Sequence, residues 1–456
     1  MRTSFLPWLV ILCILCNWPT STYSQCLRDQ ETLLLQLKTE LSSFIGTKMM
    51  SWTPTKDCCR WEGVVCDRAG HVIVLDLSNE RLTDGFNEFS SLFDLNFLQS
   101  LNLAYNFFSY LAIPSRIGDL TTLEYLNLSS SGFAGQIPIE LSRLTRLVVL
   151  DLSSHYIFEQ VPSLNLDDPN LMMLVRNLTA LTKLNLDGVN ISATGNEWGQ
   201  AISSSLPNLE VLSMPNCYLS GPIDPSLMNL KFLSIIRLDQ NNLSSPVPDF
   251  FANFRNLRVL RLSSCNLNGI FPEQILNIPT LQILDLSINE KLHGSLPTTI
   301  GSLNSLYVLN LSHNTLTGPI PSSIGNLTQL RSLDLSYNKL NGNVPLQLVN
   351  LTQLSFLNLS YNKLTGMIPW GRQFATFTET SFLGNPQLCG PVLNRSCYTP
   401  SPISPITLEL CISMIVGFFV GLSAFVWPLL YSKSWNKTYY SYVDKIVLRI
   451  LHWGGR

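Results

Sequence analysis

The strongest constraint on the fold of this 456-residue sequence is an internal repeat with a period near 24 residues. The segments LNSLYVLNLSHNTLTGPIPSSIGN, LTQLRSLDLSYNKLNGNVPLQLVN and LTQLSFLNLSYNKLTGMIP share the pattern LxxLxxLxLxxNxLxGxIP. The leucine that opens the LxL motif recurs at Leu309, Leu333 and Leu357. Equivalent positions are Leu75, Leu101, Leu126, Leu150, Leu184, Leu212, Ile236, Leu260 and Leu284, which gives about 12 turns with a longer step after Leu150.

A period in the twenties with this leucine spacing is the signature of leucine-rich repeats. The LxL stretch alternates as a strand does, so its leucines enter the interior, and copies must stack to bury them. In the GxIP tail, proline interrupts helical hydrogen bonding and glycine permits a turn. We therefore predict a leucine-rich-repeat solenoid over residues 72–373, with short parallel strands on its concave face.

The last position of the LxLxxN motif predicts a buried polar ladder. A buried amide at this position can hydrogen-bond the backbone of adjacent turns. Cys217 and Cys265 occupy the same position two turns apart, and we predict free thiols there rather than a disulfide. The predicted ladder amides are Asn106, Asn241, Asn289, Asn314, Asn338 and Asn362.

An open solenoid exposes apolar ends, so caps are required. We predict an N-terminal cap at residues 25–71, beginning with an amphipathic helix, and a C-terminal cap at residues 374–398. The adjacent Cys58 and Cys59 are predicted to pair outward. The predicted disulfides are Cys26–Cys58, Cys59–Cys66 and Cys389–Cys397, each stabilising by about 2–4 kcal/mol.

Two apolar segments predict a protein anchored in the plasma membrane. Residues 1–24 have the short apolar core of a secretory signal peptide. Residues 410–431 carry no charge and reach about 33 Å as a helix, enough for a bilayer core of about 30 Å. Lysine and arginine concentrate after this segment, which places the C-terminus inside. We predict a single-pass type I protein with a juxtamembrane linker at 399–409 and a cytoplasmic tail at 432–456.

Several of these motifs resemble the extracellular part of plant receptor-like proteins and receptor kinases. CCRWEGVVC resembles their N-terminal cap, and LxGxIP resembles their repeat. CLRDQETLLLQLK, LSRLTRLVVLDLSS and LSSCNLNGIFPE resemble the Verticillium-wilt-resistance type more closely, and the likeness extends over residues 26–397. The resemblance implies a kinase-less cell-surface immune receptor that detects a pathogen-derived or apoplastic ligand. It also implies an adaptor or co-receptor leucine-rich-repeat receptor kinase as partner.

The predicted membrane span contains a GxxxG pair at Gly417 and Gly421. Small residues at this spacing let another helix approach closely. By resemblance, the partner kinase pairs laterally through this span. The alternative is that both glycines are merely tolerated in lipid.

Composition and motifs exclude several functions. The formal net charge is -2, and no block of lysine or arginine offers a nucleic-acid footprint. The five histidines are scattered, and no nucleophile or phosphate-binding motif occurs. We predict no enzyme activity, no metal site and no cofactor.

Variable positions around each LxL motif predict where a ligand binds. The C-terminal repeats carry bland residues there, whereas the middle repeats carry charges. Arginine forks recognise carboxylates well, so an acidic peptide or an oligosaccharide uronate could dock. The alternative is a solvated, salt-bridged face without a ligand. The predicted ligand-binding residues are Lys183, Asp187, Arg237, Asp239, Gln240, Arg258 and Arg261.

Nine sequons in the predicted exported part are typical of a glycosylated ectodomain, although LNLS arises from the repeat itself. They are Asn127, Asn177, Asn190, Asn242, Asn310, Asn326, Asn350, Asn358 and Asn394.

A defence receptor is one of three functions compatible with these features. A developmental receptor-like protein that modulates a peptide-receptor kinase would share the same architecture. A membrane-tethered inhibitor or decoy for secreted wall-degrading enzymes is the third. Sequence does not separate the first two.

Overall fold

The computed structural model describes residues 25–41, 46–154, 163–397, 405–431 and 433–453. The chain divides into two compact units, residues 1–395 and 396–456. The signal peptide predicted at residues 1–24 lies outside the described residues.

A thirteen-stranded sheet forms one face of the first unit. Its first two strands pair antiparallel, and every later pair is parallel. The register sets Leu284 beside Leu309 and Leu309 beside Leu333, so all predicted repeat positions stack. The strands are Val64–Cys66, Val72–Asp76, Ser100–Asn102, Tyr125–Asn127, Val149–Asp151, Lys183–Asn185, Val211–Ser213, Ile235–Arg237, Val259–Arg261, Ile283–Asp285, Val308–Asn310, Ser332–Asp334 and Phe356–Asn358.

The NxLxGxIP half of each later repeat forms further strands, followed by one turn of 3-10 helix. These strands build a six-stranded sheet from Asn268–Ile270, Lys291–Ser295, Thr315–Pro319, Lys339–Asn343, Lys363–Met367 and Gln387–Cys389. A two-stranded sheet consists of Gly135–Gln136 and Leu164–Asn165. The 3-10 helices are Cys58–Arg60, Ser91–Asp94, Ser115–Asp119, Ile139–Arg143, Pro225–Asn229, Asp249–Asn253, Glu273–Asn277, Thr298–Ser302, Ser322–Asn326, Leu346–Asn350, Arg372–Thr376, Glu379–Ser381 and Pro391–Leu393.

Most of the described α-helices lie in the N-terminal cap and in the second unit. They are Arg28–Glu40, Thr47–Met50, Leu171–Val175, Gly195–Ser205, Pro405–Tyr431 and Lys433–Trp453. The longer step between Leu150 and Leu184 contains the helix Leu171–Val175 and the strand Leu164–Asn165.

The predicted amide ladder is present and ties neighbouring repeats together. Asn289 is fully buried and donates to the carbonyls of Leu262 and Leu286 at 3.0 and 2.9 Å. Its side-chain oxygen accepts from the backbone N–H groups of Cys265 and Leu267 at 3.0 and 2.9 Å. Each amide therefore satisfies backbone groups that the turn would otherwise leave unpaired.

The ladder extends beyond the predicted amides at both ends. Asn385, in the C-terminal cap, donates to Leu359 and accepts from Leu364, each at 3.0 Å. At the other end the same position holds Glu80, whose buried carboxylate accepts from the backbone N–H groups of Lys48 and Met49. The helix Thr47–Met50 is thereby bound to the first repeat.

Cys217 and Cys265 are buried free thiols, as predicted. Each donates at 3.0 Å to a carbonyl of a preceding repeat, that of Leu186 or Leu238. Burial raises the pKa of Cys265 to about 12 and raises the pKa of Cys217 well above its usual range. Both thiols are therefore protonated ladder members rather than reactive groups.

The N-terminal cap is cross-linked and packed on aromatic rings. Cys26–Cys58 and Cys59–Cys66 form disulfides, in agreement with the predicted pairing. Trp52 stacks on Trp61 with ring centroids 5.4 Å apart. At the other cap, Cys389 and Cys397 are each disulfide-bonded.

The second unit contains the helices Pro405–Tyr431 and Lys433–Trp453. None of the helices in the described part of the chain combines the length and apolarity that a membrane crossing requires. The span at residues 410–431 therefore stays a prediction.

Replacing Asn289 by alanine tests the ladder. The change leaves the buried N–H groups of Cys265 and Leu267 and the carbonyl of Leu262 without a hydrogen-bond partner, so we expect a loss of about 1–3 kcal/mol in the free energy of unfolding. Urea unfolding followed by circular dichroism measures the loss. Asn304, an exposed asparagine whose side chain forms no hydrogen bond with described residues, is the matched control. Equal effects of Asn289→Ala and Asn304→Ala would contradict a structural role for the ladder.

Candidate functional site on the concave face

Parallel pairing without slippage aligns equivalent residues of successive repeats into rows. The residue between the two leucines of each LxL motif forms what we call the central row. Arg237 pairs with Ser213 on one side and Arg261 on the other, and Arg261 pairs with Asp285. The central row is Asp76, Asn102, Asn127, Asp151, Asn185, Ser213, Arg237, Arg261, Asp285, Asn310, Asp334 and Asn358.

Each arginine of the central row forms ion pairs with aspartates, Arg237 with one and Arg261 with two. Arg237 lies 3.8 Å from Asp187 through its Nη1 atom. Arg261 lies between two carboxylates, at 3.4 Å from Asp239 through Nε and at 3.7 Å from Asp285 through Nη2. We call these five residues the arginine–aspartate cluster.

The carboxylates are buried, whereas the arginines are partly exposed. The side chains of Asp187, Asp239 and Asp285 are 8–13% exposed, and those of Arg237 and Arg261 are 39% and 38% exposed. Asp239 also accepts from the backbone N–H and the hydroxyl of Ser263 at 3.1 and 2.9 Å. The acids therefore form the base of the cluster, and part of each guanidinium stays accessible.

The ion pairs use only part of the hydrogen-bonding capacity of the arginines. Their separations of 3.4–3.8 Å exceed the 2.7–2.9 Å expected of a close charge-assisted hydrogen bond. Within the described residues, Nε of Arg237 and Nε of Arg261 make no hydrogen bond. Ser213, buried beside Arg237 in the central row, likewise has a hydroxyl without a hydrogen-bond partner there.

Burial raises the pKa of Asp285, and its hydrogen bonds from Ser287 and the charge of Arg261 only partly counter that effect. The negative charge of Asp239, which is buried close by, also raises the pKa of Asp285. The charge of Arg261 thus favours the ionised form of Asp285, whereas burial disfavours that form.

The charged residues of the middle repeats do not form a purely basic surface. Three aspartates accompany Arg237 and Arg261, so the cluster is close to neutral in charge. Arg258 is exposed and forms no ion pair with any described residue, and Lys183 is likewise exposed at the start of a strand. Gln240 follows the cluster in a left-handed conformation with φ of 59°. The structure thus brings together Asp187, Arg237, Asp239 and Arg261 from the predicted set.

Sequence reasoning missed two members of this surface. Asp285 was recoverable, because it lies one period after Arg261. The second is a row of rings at the C-terminal end, where bland residues were expected. His313 stacks on Tyr337 with centroids 4.2 Å apart, and Tyr337 stacks on Tyr361 at 4.3 Å.

The nine sequons fall into three groups by position. Asn127, Asn310 and Asn358 belong to the central row of the concave face. Asn326 and Asn350 end 3-10 helices and are exposed. The remaining four lie in connecting segments, half-buried at Asn190 and exposed at Asn177, Asn242 and Asn394.

Gly417 and Gly421, the pair predicted to contact a partner helix, lie within the helix Pro405–Tyr431. Among the described residues, a Cβ at Gly417 or Gly421 would meet no neighbouring atom within 4 Å.

Family comparisons identify the repeats and the cap. The leucine-rich repeat region matches residues 241–368, and the leucine rich repeat N-terminal domain matches residues 27–67. The Leucine Rich Repeat family matches residues 122–144 and 208–230.

Curated relatives are plant receptor-like proteins. Receptor-like protein 6 of Arabidopsis thaliana is 37% identical over 253 residues, which are 50% of this chain and 24% of that protein. Receptor-like protein EIX1 of Solanum lycopersicum is 36% identical over 230 residues, 47% of this chain and 21% of that protein. Receptor-like protein Cf-9 of Solanum pimpinellifolium is 32% identical over 195 residues, which are 42% of this chain and 21% of that protein. The match spans about a fifth to a quarter of the length of these relatives.

Two solved structures of plant leucine-rich-repeat ectodomains share the fold. The crystal structure of PEPR1-AtPEP1 has a TM-score of 0.57 and 29% identity, covering 75% of this chain and 50% of that chain. Plant peptide hormone receptor RGFR1 in complex with RGF2 has a TM-score of 0.54 and 30% identity, and the match covers 68% of this chain and 50% of that chain.

The predicted fold class is confirmed as a capped leucine-rich-repeat solenoid of the plant type. These matches also confirm the resemblance to plant leucine-rich-repeat receptor-like proteins.

Replacing Arg261 by methionine tests the electrostatic role of the cluster. Without this charge the pKa of Asp285 should rise further. A carboxyl with a raised folded-state pKa contributes stability below its unfolded pKa of about 3.9 and loses it as pH rises through the folded value. We therefore expect the variant to be less stable by about 1 kcal/mol at pH 7, with a smaller deficit at acid pH.

Unfolding free energies measured by urea titration at several pH values check this expectation. Arg258→Met is the matched control, because Arg258 is exposed and has no ion pair with described residues. A deficit of the same size at every pH would mean that the packing of the arginine stem matters and its charge does not.

Proposed function

We propose that this protein is a cell-surface receptor that binds a ligand bearing acidic groups on its concave face. The proposal further holds that it signals in plant defence through a partner receptor kinase. The relatives are named receptor-like proteins, which supports the receptor role. Defence rather than development rests on the resemblance alone.

The observation that carries the proposal is the half-exposed state of Arg237 and Arg261. Ion pairs with largely buried carboxylates position both guanidinium groups, so less side-chain freedom remains to be lost on binding. Their accessible N–H groups can still form forked hydrogen bonds with a ligand carboxylate. A salt-bridged face and a ligand-binding face are therefore compatible here.

The distribution of sequons supports the same location. Asn127 and Asn310 lie in the central row on either side of six strands that contain no sequon of their own. The arginine–aspartate cluster lies on strands within this interval. Glycans at the flanking positions would leave this sector as the open part of the concave face.

An acidic peptide is the first ligand class to test, and an oligosaccharide uronate is the second. The two structural neighbours are PEPR1-AtPEP1 and a plant peptide hormone receptor in complex with RGF2, which favours a peptide. The near-neutral charge of the cluster favours a ligand with a few acidic groups over a densely charged polyanion.

Binding of defined probes to the purified full-length protein tests the ligand class. The probes are an aspartate-rich peptide and an oligogalacturonide, each compared with a neutral counterpart (the asparagine version and a neutral galactan). We expect an acidic probe to bind more tightly than its neutral form. Arg237→Ala combined with Arg261→Ala should weaken that binding by about tenfold or more, equivalent to about 1.4 kcal/mol or more.

Two further variants sharpen this experiment. Arg237→Lys combined with Arg261→Lys keeps the positive charges but removes the paired N–H groups of the guanidinium, so we expect an affinity between those of the unmodified protein and the double alanine variant. Arg258→Ala should bind as the unmodified protein does. If neither acidic probe binds better than its neutral counterpart, the acidic-ligand proposal is wrong.

Coupling to a kinase is proposed to occur through the span predicted at residues 410–431. Gly417 and Gly421 would let a partner helix approach closely. Affinity purification of the full-length protein from plant membranes should therefore recover a receptor kinase. The variant that combines Gly417→Leu with Gly421→Leu should no longer recover the kinase. The control variant that combines Val416→Leu with Val420→Leu should still recover it.

Failure to recover a kinase with any of these proteins, at normal surface levels, would contradict coupling through the span. The protein would then be better described as a membrane-tethered binder or decoy.

A further inference from the structure

A cleft of about 490 Å³ lies at the C-terminal end of the concave sheet. One wall is the last strand and the residues after it, including Phe356, Asn358 and Ser360. The other wall is the cap segment from Thr376 to Ser381. Its volume lies within the range of about 300–1,000 Å³ typical of small-ligand sites.

The lining of this cleft differs from the arginine–aspartate cluster because none of its residues is charged. Phe356 and Tyr361 are 49% and 47% exposed and supply apolar surface. On the facing wall the hydroxyl of Thr376 donates to the carbonyl of Gln373, and the hydroxyls of Thr378 and Thr380 hydrogen-bond each other, so this wall offers mainly acceptor oxygens. A neutral sugar ring combines an apolar C–H face with hydroxyl edges, and this lining offers partners for both.

A sequon forms part of the cleft wall. Asn358 and Ser360, the first and third residues of the motif, both line the cleft. The side-chain oxygen of Asn358 accepts from the backbone N–H and hydroxyl of Ser360 at 3.2 and 2.7 Å. Its nitrogen donates to Asp334 at 3.4 Å. N-glycosylation replaces one of the two hydrogens on this nitrogen, so the second can keep the contact with Asp334.

We infer that Asn358 carries an N-glycan whose first N-acetylglucosamine residues pack into this cleft. The sugar covers the exposed ring of Phe356 and hydrogen-bonds to the hydroxyl groups of the cap segment. It thereby shields the last strand of the concave sheet, where the stack of repeats ends. This inference rests on the export to the cell surface that the proposed function includes.

Other sequons of the same chain provide internal controls. Asn310 has the same LNLS motif and the same central-row position, but it does not line the cleft. Asn326 and Asn350 are exposed at the ends of 3-10 helices. Their glycans should project freely into solvent.

Glycosidase protection of the full-length protein tests the inference. The chain is expressed in plant cells under inhibition of mannose trimming, purified, and digested under native conditions with endoglycosidase H, which cuts between the first two N-acetylglucosamine residues. Mass spectrometry of the glycopeptides follows release at each site. We expect release at Asn358 to be severalfold slower than at Asn326 and Asn350, and equally fast at all three after denaturation.

Phe356→Ala should bring release at Asn358 up to the rate of the exposed sites. Because Phe356 is half exposed, its removal should leave the fold intact, which circular dichroism checks. Slow release that persists in Phe356→Ala and is equally slow at Asn310 would show a general property of the concave face and overturn the inference.

Site occupancy separates this inference from the proposed function. Glycans at Asn326 and Asn350 with a bare Asn358 would overturn the inference while leaving export intact. Bare asparagines at every sequon would contradict export itself, and with it the cell-surface role.

Discussion

The hydrogen bonding of buried asparagine side chains holds the repeats in register. Asn289 satisfies carbonyls of Leu262 and Leu286 and N–H groups of the preceding turn, and its own backbone N–H donates to the next amide, Asn314. The chain of contacts continues into the C-terminal cap at Asn385. Backbone groups buried inside the solenoid cannot hydrogen-bond to water instead. Because each amide bonds backbone groups of two turns, loss of one amide affects both turns. Leucine packing and the stacked strands both depend on this alignment.

A fixed register also determines what the concave face can contain. Residues one period apart become neighbours on adjacent strands, so Arg237 lies beside Arg261, and Arg261 beside Asp285. The aspartates that follow the second leucine of their motifs, Asp187 and Asp239, are then close enough to pair with arginines of later repeats. Charges far apart in the chain form one cluster without any contribution from flexible loops.

The two ends of the concave face have different chemistry, and the proposals follow that difference. The middle sector combines half-exposed arginines with buried acids, an arrangement suited to a carboxylate. The C-terminal end combines exposed rings with uncharged hydroxyl groups beside a sequon, an arrangement suited to a neutral sugar. Division of one surface between a ligand and a glycan would confine the ligand to the repeats that carry the charges.

The sequence by itself determined the repeat positions, the ladder amides and the N-terminal disulfide pairs, because each follows from spacing or from residue type. It did not determine the charge balance around Arg261, since Asp239 and Asp285 meet it only after neighbouring repeats are stacked. The ring stack of His313, Tyr337 and Tyr361 and the ladder role of Glu80 also escaped prediction. These features depend on side-chain directions and on contacts between cap and repeat, and a one-dimensional period contains neither. The tertiary structure alone decided them, because only stacking brings residues of different repeats within contact distance.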